Sequence, residues 1–128
     1  MQHHIRNAIK FGVPVVVGIN VFSTDTDAEI ELIQKKAVEA GAQAAVRCEH
    51  WARGGAGAAD LAKAVTAASE LKSDFKFLYP LELSIEDKIR KIAKDIYGAK
   101  DVVFEDKAKA KLVLYTKQVR FHTFKKIN

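Results

Sequence analysis

An amide, two aromatic rings and a cluster of glycines are the side chains with the most chemistry to offer here: Asn20, Phe22, Trp51, Gly54, Gly55 and Gly57. Asn20 can donate and accept at once, which suits the edge of a heterocyclic base. The flat faces of Phe22 and Trp51 could stack on an aromatic ring, worth about 1–3 kcal/mol per ring by analogy with base stacking. The glycines remove side chains, so backbone N–H groups of residues 52–57, Ala52 included, could come close to a ligand or take positive φ. Each also has a plainer reading. Phe22 alone reads more readily as a packing residue, and a single Trp beside a His as core or rim. The run Arg53-Gly-Gly-Ala-Gly57 has no Gly-Lys-Ser/Thr and is not a Walker A loop. His50 could act as a general base, but the sequence shows it no carboxylate or nucleophile partner. Cys48 reads as a buried strand residue rather than a reactive thiol.

The elements that would hold these residues follow from pattern. Pro14-Val-Val-Val-Gly-Ile-Asn20 is the most apolar run of the chain and reads as a strand buried on both faces. The polar loop of residues 21–26 follows, then a helix opened by a capping box with Thr26 as N-cap and Glu29 reaching back, carrying Ile30, Ile33 and Ala37 at helical spacing to a stop at Gly41. Residues 44–48 form a second short strand, residues 49–57 a glycine-rich loop, and the alanine-rich residues 58–71 a helix, whose N-terminus favours an anion. Upstream, residues 5–11 read as the end of a helix stopped by Gly12. Such strand–loop–helix units bind ligands beyond the carboxyl ends of their strands, which is where Asn20 and Phe22 fall.

Composition shifts near residues 72–74. The aromatic residues 75–80 read as a short strand or a packed crossing segment. Ser84 caps a helix presenting Ile85, Ile89, Ile92 and Ile96, stopped by Gly98. Residues 102–104 are a third plausible strand, residues 105–118 a final helix, and residues 119–128 a loose basic end. The expected organisation is a ligand-edge part over 1–74, a smaller α/β subdomain over 75–118 and a tail over 119–128. The alternation of strands and helices favours an α/β layered sheet, with too few strands for a complete doubly wound domain.

Bulk properties narrow the function classes. The net charge of +5 is uneven: residues 1–60 carry six Lys/Arg against seven Asp/Glu, and residues 61–128 carry fifteen against nine. The excess lies on helices interleaved with acids and lacks an aromatic–basic pattern, so a solvated helical face is favoured over nucleic acid. The single Cys48 excludes an intramolecular disulfide and agrees with a reducing compartment. There is no HxxxH or CxxC spacing for a metal site, no signal peptide and no apolar stretch long enough for a membrane.

Three ordered blocks carry a resemblance to a known family. Phe11-Gly-Val-Pro-Val-Val-Val-Gly-Ile-Asn-Val-Phe-Ser-Thr-Asp-Thr-Asp-Ala-Glu29 resembles a signature of formate–tetrahydrofolate ligases. Cys48-Glu-His-Trp-Ala-Arg-Gly-Gly-Ala-Gly-Ala58 is similar to the family's His-Trp-Ala-x-Gly-Gly-x-Gly-Ala segment. Phe77-Leu-Tyr-Pro80, Ile85 to Ala93, Ile96-Tyr-Gly-Ala99 and Tyr115-Thr-Lys-Gln118 continue it. The resemblance implies a partial three-layer sheet of the P-loop nucleotide-binding type, with helices on both faces. It implies ATP-dependent joining of formate to tetrahydrofolate, through formyl phosphate, giving 10-formyltetrahydrofolate, ADP and phosphate. ATP with Mg2+ is the implied cofactor and tetrahydrofolate the substrate, in a homo-oligomeric parent enzyme that is cytoplasmic or mitochondrial. Carried over by motif, Asn20, Phe22, Trp51 and the backbone of Ala52, Gly54, Gly55 and Gly57 contribute a pocket for folate or adenine rings; which ring meets which face stays open. The family's phosphate-binding Gly-Lys-Thr loop is absent from this sequence, and residues 119–128 depart from the family pattern. The expectation is part of such a ligase, inactive alone; the alternative is a non-catalytic α/β remnant that binds a planar ligand weakly.

Overall fold

The computed structural model describes residues 1–123, and side chains through residue 118. The chain divides into two compact units, Met1–Lys76 and a second beginning at Phe77.

The first unit is a strand–helix–strand–helix core. Helix α1 (Gln2–Ile9) precedes strand β1 (Val16–Asn20), helix α2 (Asp27–Glu39) and strand β2 (Ala44–Cys48). The two strands pair in parallel, from Val16 opposite Ala44 to Asn20 opposite Cys48. Parallel strands need a crossover, and α2 supplies it. Its N-terminus is the capping box read in the sequence. The Glu29 N–H donates to Thr26 Oγ1 at 3.4 Å, and the Thr26 N–H donates back to Glu29 Oε2 at 2.9 Å. At its other end the Gly41 N–H reaches the Val38 carbonyl (2.9 Å) and the Ala42 N–H the Ala37 carbonyl (3.1 Å), a Schellman turn. That turn feeds Ala37, Ala40 and Ala42 into a buried cluster with Ile5, against which Val15, Val17 and Ala45 pack.

Side chains alternate along a strand, so Val16 and Gly18 face the other way. There they meet helix α4 (Ala59–Ser69): a Cβ on Gly18 would lie 3.0 Å from Leu61 Cδ2, and Val65 and Ala68 line a groove with Pro14 and Val16. The result is a three-layer α/β arrangement with helices on both faces of the sheet. Burial is thinner than a strand covered on both faces would give. Ile19 and Cys48 are buried, Val16 and Val17 are half-buried, and Gly18 and Asn20 are exposed. The sheet has two strands among the described residues, and on the α4 side Val65 and Ala68 leave an open groove against Pro14 and Val16.

Residues 75–80 form no strand. The Asp74 and Lys76 N–H groups donate to the Gly12 and Phe11 carbonyls at 2.9 and 3.0 Å, while the Phe75 ring stays exposed. Gly12 is obligatory at this crossing. Its φ is +72°, and a Cβ would lie 1.8 Å from the Asp74 carbonyl oxygen.

In the second unit Ser84 caps helix α5 (Ile85–Asp95), accepting from the Asp87 N–H at 3.0 Å, and α5 packs on helix α6 (Asp106–Thr123). Ile85, Ile92 and Ile96 are half-buried, while Ile89 is exposed. The strand expected at residues 102–104 does not form. Arg90 Nη1 takes the Val102 carbonyl (2.9 Å) and the Asp101 carboxylate (2.8 Å), and its guanidinium lies 5.2 Å from the Phe104 ring centroid. A cation thus occupies backbone that a neighbouring strand would need. The described part of this unit is helical rather than the smaller α/β subdomain expected over 75–118. Helix α6 also runs through Thr123, beyond the stop expected at 118, so the start of the expected loose end is helical; residues 124–128 lie outside the described residues.

Gly12→Ala is expected to destabilise the chain by at least about 2 kcal/mol, from left-handed backbone strain plus the clash with Asp74. Gly55→Ala, where a Cβ meets nothing within 4 Å, should change stability by less than about 0.5 kcal/mol. Urea denaturation of both variants checks this, and equal midpoints would contradict the tight crossing.

Candidate functional site

Because β1 and β2 are parallel and end in register, the chain leaves both strands on one edge. The Val21 N–H extends the ladder by donating to the Cys48 carbonyl at 3.0 Å. From there the first connection closes on itself. The Phe22 N–H donates to Asp25 Oδ2 at 2.8 Å, and the Asp25 N–H donates to the Phe22 carbonyl at 3.0 Å. The capping box begins at the next residue. Thr26 Oγ1 lies 2.6 Å from Glu29 Oε2, and the hydroxyl hydrogen bond, then the backbone one, holds the Glu29 carboxyl below its ordinary range. A backbone this tethered leaves the Phe22 ring 54% exposed. Asn20, on the α4 face by alternation, is exposed too.

The second connection is more regular than the glycine-rich loop expected over residues 49–57. Residues His50–Arg53 form a short helix α3, and Gly54–Ala58 a 3-10 turn that runs directly into α4. Glu49 organises both. Its carbonyl accepts from the Ala52 and Arg53 N–H groups (3.1 and 2.9 Å), its N–H donates to the Gly57 carbonyl (3.0 Å), and its carboxylate pairs with Arg53 at 2.8 Å. Trp51 projects from this helix 80% exposed. The glycines divide by cause. Gly54 and Gly55 border open space, whereas a Cβ on Gly57 would fall 2.5 Å from the Glu49 carbonyl. The Ala52 N–H is already committed to Glu49. The N-terminus of α4 carries Asp60 in its first turn, so its dipole meets a carboxylate of the chain itself. Lys63, 2.9 Å away, lowers the Asp60 pKa.

The structure therefore places Asn20 at the end of β1, Phe22 on the connection that follows it, and Trp51 on the connection that follows β2. A cleft of about 230 Å³, lined by Gly12, Pro14, Val15, Gly41 and Gln43 among others, sits at the opposite end of the strands. Three contacts of the edge were not read from sequence. Asp25 clasps Phe22, and the signal available was an Asp three residues on in a polar loop. Arg47 of β2 binds Asp27 of α2 at 2.5 Å, an ion pair that raises the arginine's pKa; its partners are twenty residues apart and gave no local signal. Cys48 Sγ lies 3.3 Å from His50 Nδ1, so the thiol is buried, as expected, yet partnered.

A parallel strand–helix–strand–helix unit belongs to the α/β class. Comparison with known proteins is specific about the family. A family profile described as Formate–tetrahydrofolate ligase matches residues 1–125, and the chain belongs to that family. It is 55% identical over 118 residues to the cytoplasmic C-1-tetrahydrofolate synthase of Mus musculus, covering 92% of this chain and 13% of that protein. It is 51% identical to the mitochondrial monofunctional C1-tetrahydrofolate synthase of the same organism, over 92% of this chain and 12% of that protein. To the formate–tetrahydrofolate ligase of Desulforamulus reducens it is 53% identical, over 88% of this chain and 20% of that protein. The chain thus spans a fifth or less of the length of these relatives.

The capping box makes a pH prediction. A carboxyl whose folded pKa is lowered contributes stability above its unfolded pKa, near 4.5, and loses it as pH falls through the folded value. Glu29→Gln keeps an acceptor for the Thr26 N–H without titrating. The stability advantage of the unsubstituted chain over the Glu29→Gln variant should therefore shrink as pH is lowered from about 5 to about 3. Thermal melts of the two proteins across that range check it, and a difference that does not vary with pH would contradict it.

Proposed function

We propose that this chain supplies the ring-binding edge of an ATP-dependent ligase that joins formate to tetrahydrofolate, giving 10-formyltetrahydrofolate, ADP and phosphate by way of formyl phosphate. The observation that supports the reading is the register of the two parallel strands, in which Asn20 pairs with Cys48, so that the connection carrying Phe22 and the one carrying Trp51 leave adjacent strand ends. In this reading Asn20 hydrogen-bonds the polar edge of a planar ring system, and Phe22 and Trp51 offer stacking faces. Gly54 and Gly55 leave room for close approach, while Ala52 and Gly57 hold the shape of the second connection.

The residues present fit a planar ring and do not fit a magnesium-bound triphosphate. No Gly-Lys-Ser/Thr occurs in the sequence, and no three His, Cys, Asp or Glu side chains converge among the described residues. No phosphoryl step is assigned to this chain, and ATP with Mg2+ belongs to the rest of such an enzyme. The same observation favours the second reading, an α/β unit that binds a planar ligand weakly without catalysis. Nucleic acid is disfavoured because basic residues of the helices are drawn into ion pairs, as in Lys36–Glu39 (2.7 Å), Arg90–Glu86 (2.9 Å) and Lys91–Asp95 (2.8 Å). No helix among the described residues is long and apolar enough to cross a bilayer. The relatives' names place the proposed enzyme in the cytoplasm, with the mitochondrion as alternative, and a homo-oligomer is the proposed assembly.

Trp51 fluorescence tests the reading. Tetrahydrofolate, and separately ADP, is titrated into the chain with absorbance corrected and Trp51→Phe as control. Saturable quenching by either ligand is expected, with Phe22→Ala weakening it by about 5- to 150-fold, the equivalent of 1–3 kcal/mol of stacking. ATP, formate and tetrahydrofolate together should give no product with this chain alone. Product formation would overturn the division of labour, and no quenching by either ligand would overturn the ring-binding edge.

A further inference from the structure

We propose that Asp25 is a positioning residue for the Phe22 stacking face; the inference rests on the ring-binding reading above. An exposed aromatic ring on a loop is a poor platform if its backbone wanders, because binding must then order it. Three tethers remove that freedom here. On the strand side the Val21 N–H is fixed to the Cys48 carbonyl at 3.0 Å. On the helix side Thr26 is fixed by the capping box. Between them the loop is closed by the reciprocal pair across residues 22–25: the Phe22 N–H on Asp25 Oδ2 at 2.8 Å and the Asp25 N–H on the Phe22 carbonyl at 3.0 Å. Both polar groups of the Phe22 backbone are thereby satisfied within the turn, and the ring projects outward 54% exposed.

The carboxylate side chain is the replaceable half of this clasp. It accepts from a backbone N–H, a charge-assisted bond shorter and stronger than a neutral one. Removing it frees the Phe22 N–H and leaves the turn held by a single backbone bond. An amide at the same position still offers an acceptor oxygen of the same reach. Asp25 itself makes no contact with the ligand; it acts through Phe22.

The test compares Asp25→Ala and Asp25→Asn with Phe22→Ala in the full chain, reading tetrahydrofolate affinity by calorimetry and Phe22 amide-proton exchange by NMR. Expected are a loss of affinity of about tenfold for Asp25→Ala, in the same direction as Phe22→Ala, with faster exchange at Phe22, and recovery of both towards wild type for Asp25→Asn. Rescue by the amide separates positioning from a contact that needs the negative charge. Wild-type affinity in Asp25→Ala while Phe22→Ala is weakened would overturn the positioning role and leave the ring-binding reading standing. Loss of affinity in Asp25→Asn equal to that in Asp25→Ala would also overturn it. No binding by the unsubstituted chain, or none lost in Phe22→Ala, would overturn the ring-binding reading and the positioning role with it.

Discussion

Everything at the candidate site hangs on one backbone ladder. Two five-residue strands run parallel with Asn20 opposite Cys48, and that register places the ends of both strands at the same level. Parallel pairing cannot be closed by a tight turn, so the chain must travel out through α2 and back. A one-residue slip would send Val15, Val17 and Ile19 to the α4 face and Gly18 to the Ile5–Ala37 cluster, exchanging a fitted core for a void. Register and core therefore enforce each other, and the edge inherits its geometry from both.

The connections leaving that edge are local devices that need little core of their own. Phe22 and Asp25 bind each other, Thr26 and Glu29 bind each other, and Glu49 satisfies its own short helix and the Gly57 carbonyl. Residues that spend their backbone groups locally can leave their rings in solvent. That accounts for Phe22 and Trp51 being among the exposed large side chains above hydrogen-bonded backbone. The ion pair between Arg47 and Asp27 ties the second strand to the start of α2, so the two connections are braced from the same sheet.

Much of this was legible where the signal is local. The Thr26–Glu29 box, the Ser84 cap and the stop at Gly41 are one-turn chemistry, and each forms as read. The two strands and α4 also follow from short-range pattern. What failed depended on partners that a residue pattern does not name. Residues 102–104 have strand-forming side chains, but Arg90 takes the Val102 carbonyl. Of the two readings of residues 75–80 the strand does not form, while at the start of the segment the Asp74 and Lys76 N–H groups cross to the Gly12 and Phe11 carbonyls. The glycines of residues 54–57 suggested a loop, yet they form a 3-10 turn whose Gly57 carbonyl accepts from the Glu49 N–H. At the site, residue type pointed to Asn20, Phe22 and Trp51; Asp25 carried a local signal that was not read, while the Arg47–Asp27 pair is visible only once the backbone is folded. Family resemblance was legible through motif order, and the family match agrees with it.

The central claim is that ligands meet this chain at the carboxyl edge of its two strands. Backbone amide shifts of the full chain, followed by NMR during titration with tetrahydrofolate, test it most directly. The account predicts saturable shifts confined to residues 20–26 and 49–58, with the opposite strand end around Gly12, Pro14 and Gln43 unmoved. Shifts centred on that opposite end, or none at saturating ligand, would contradict it.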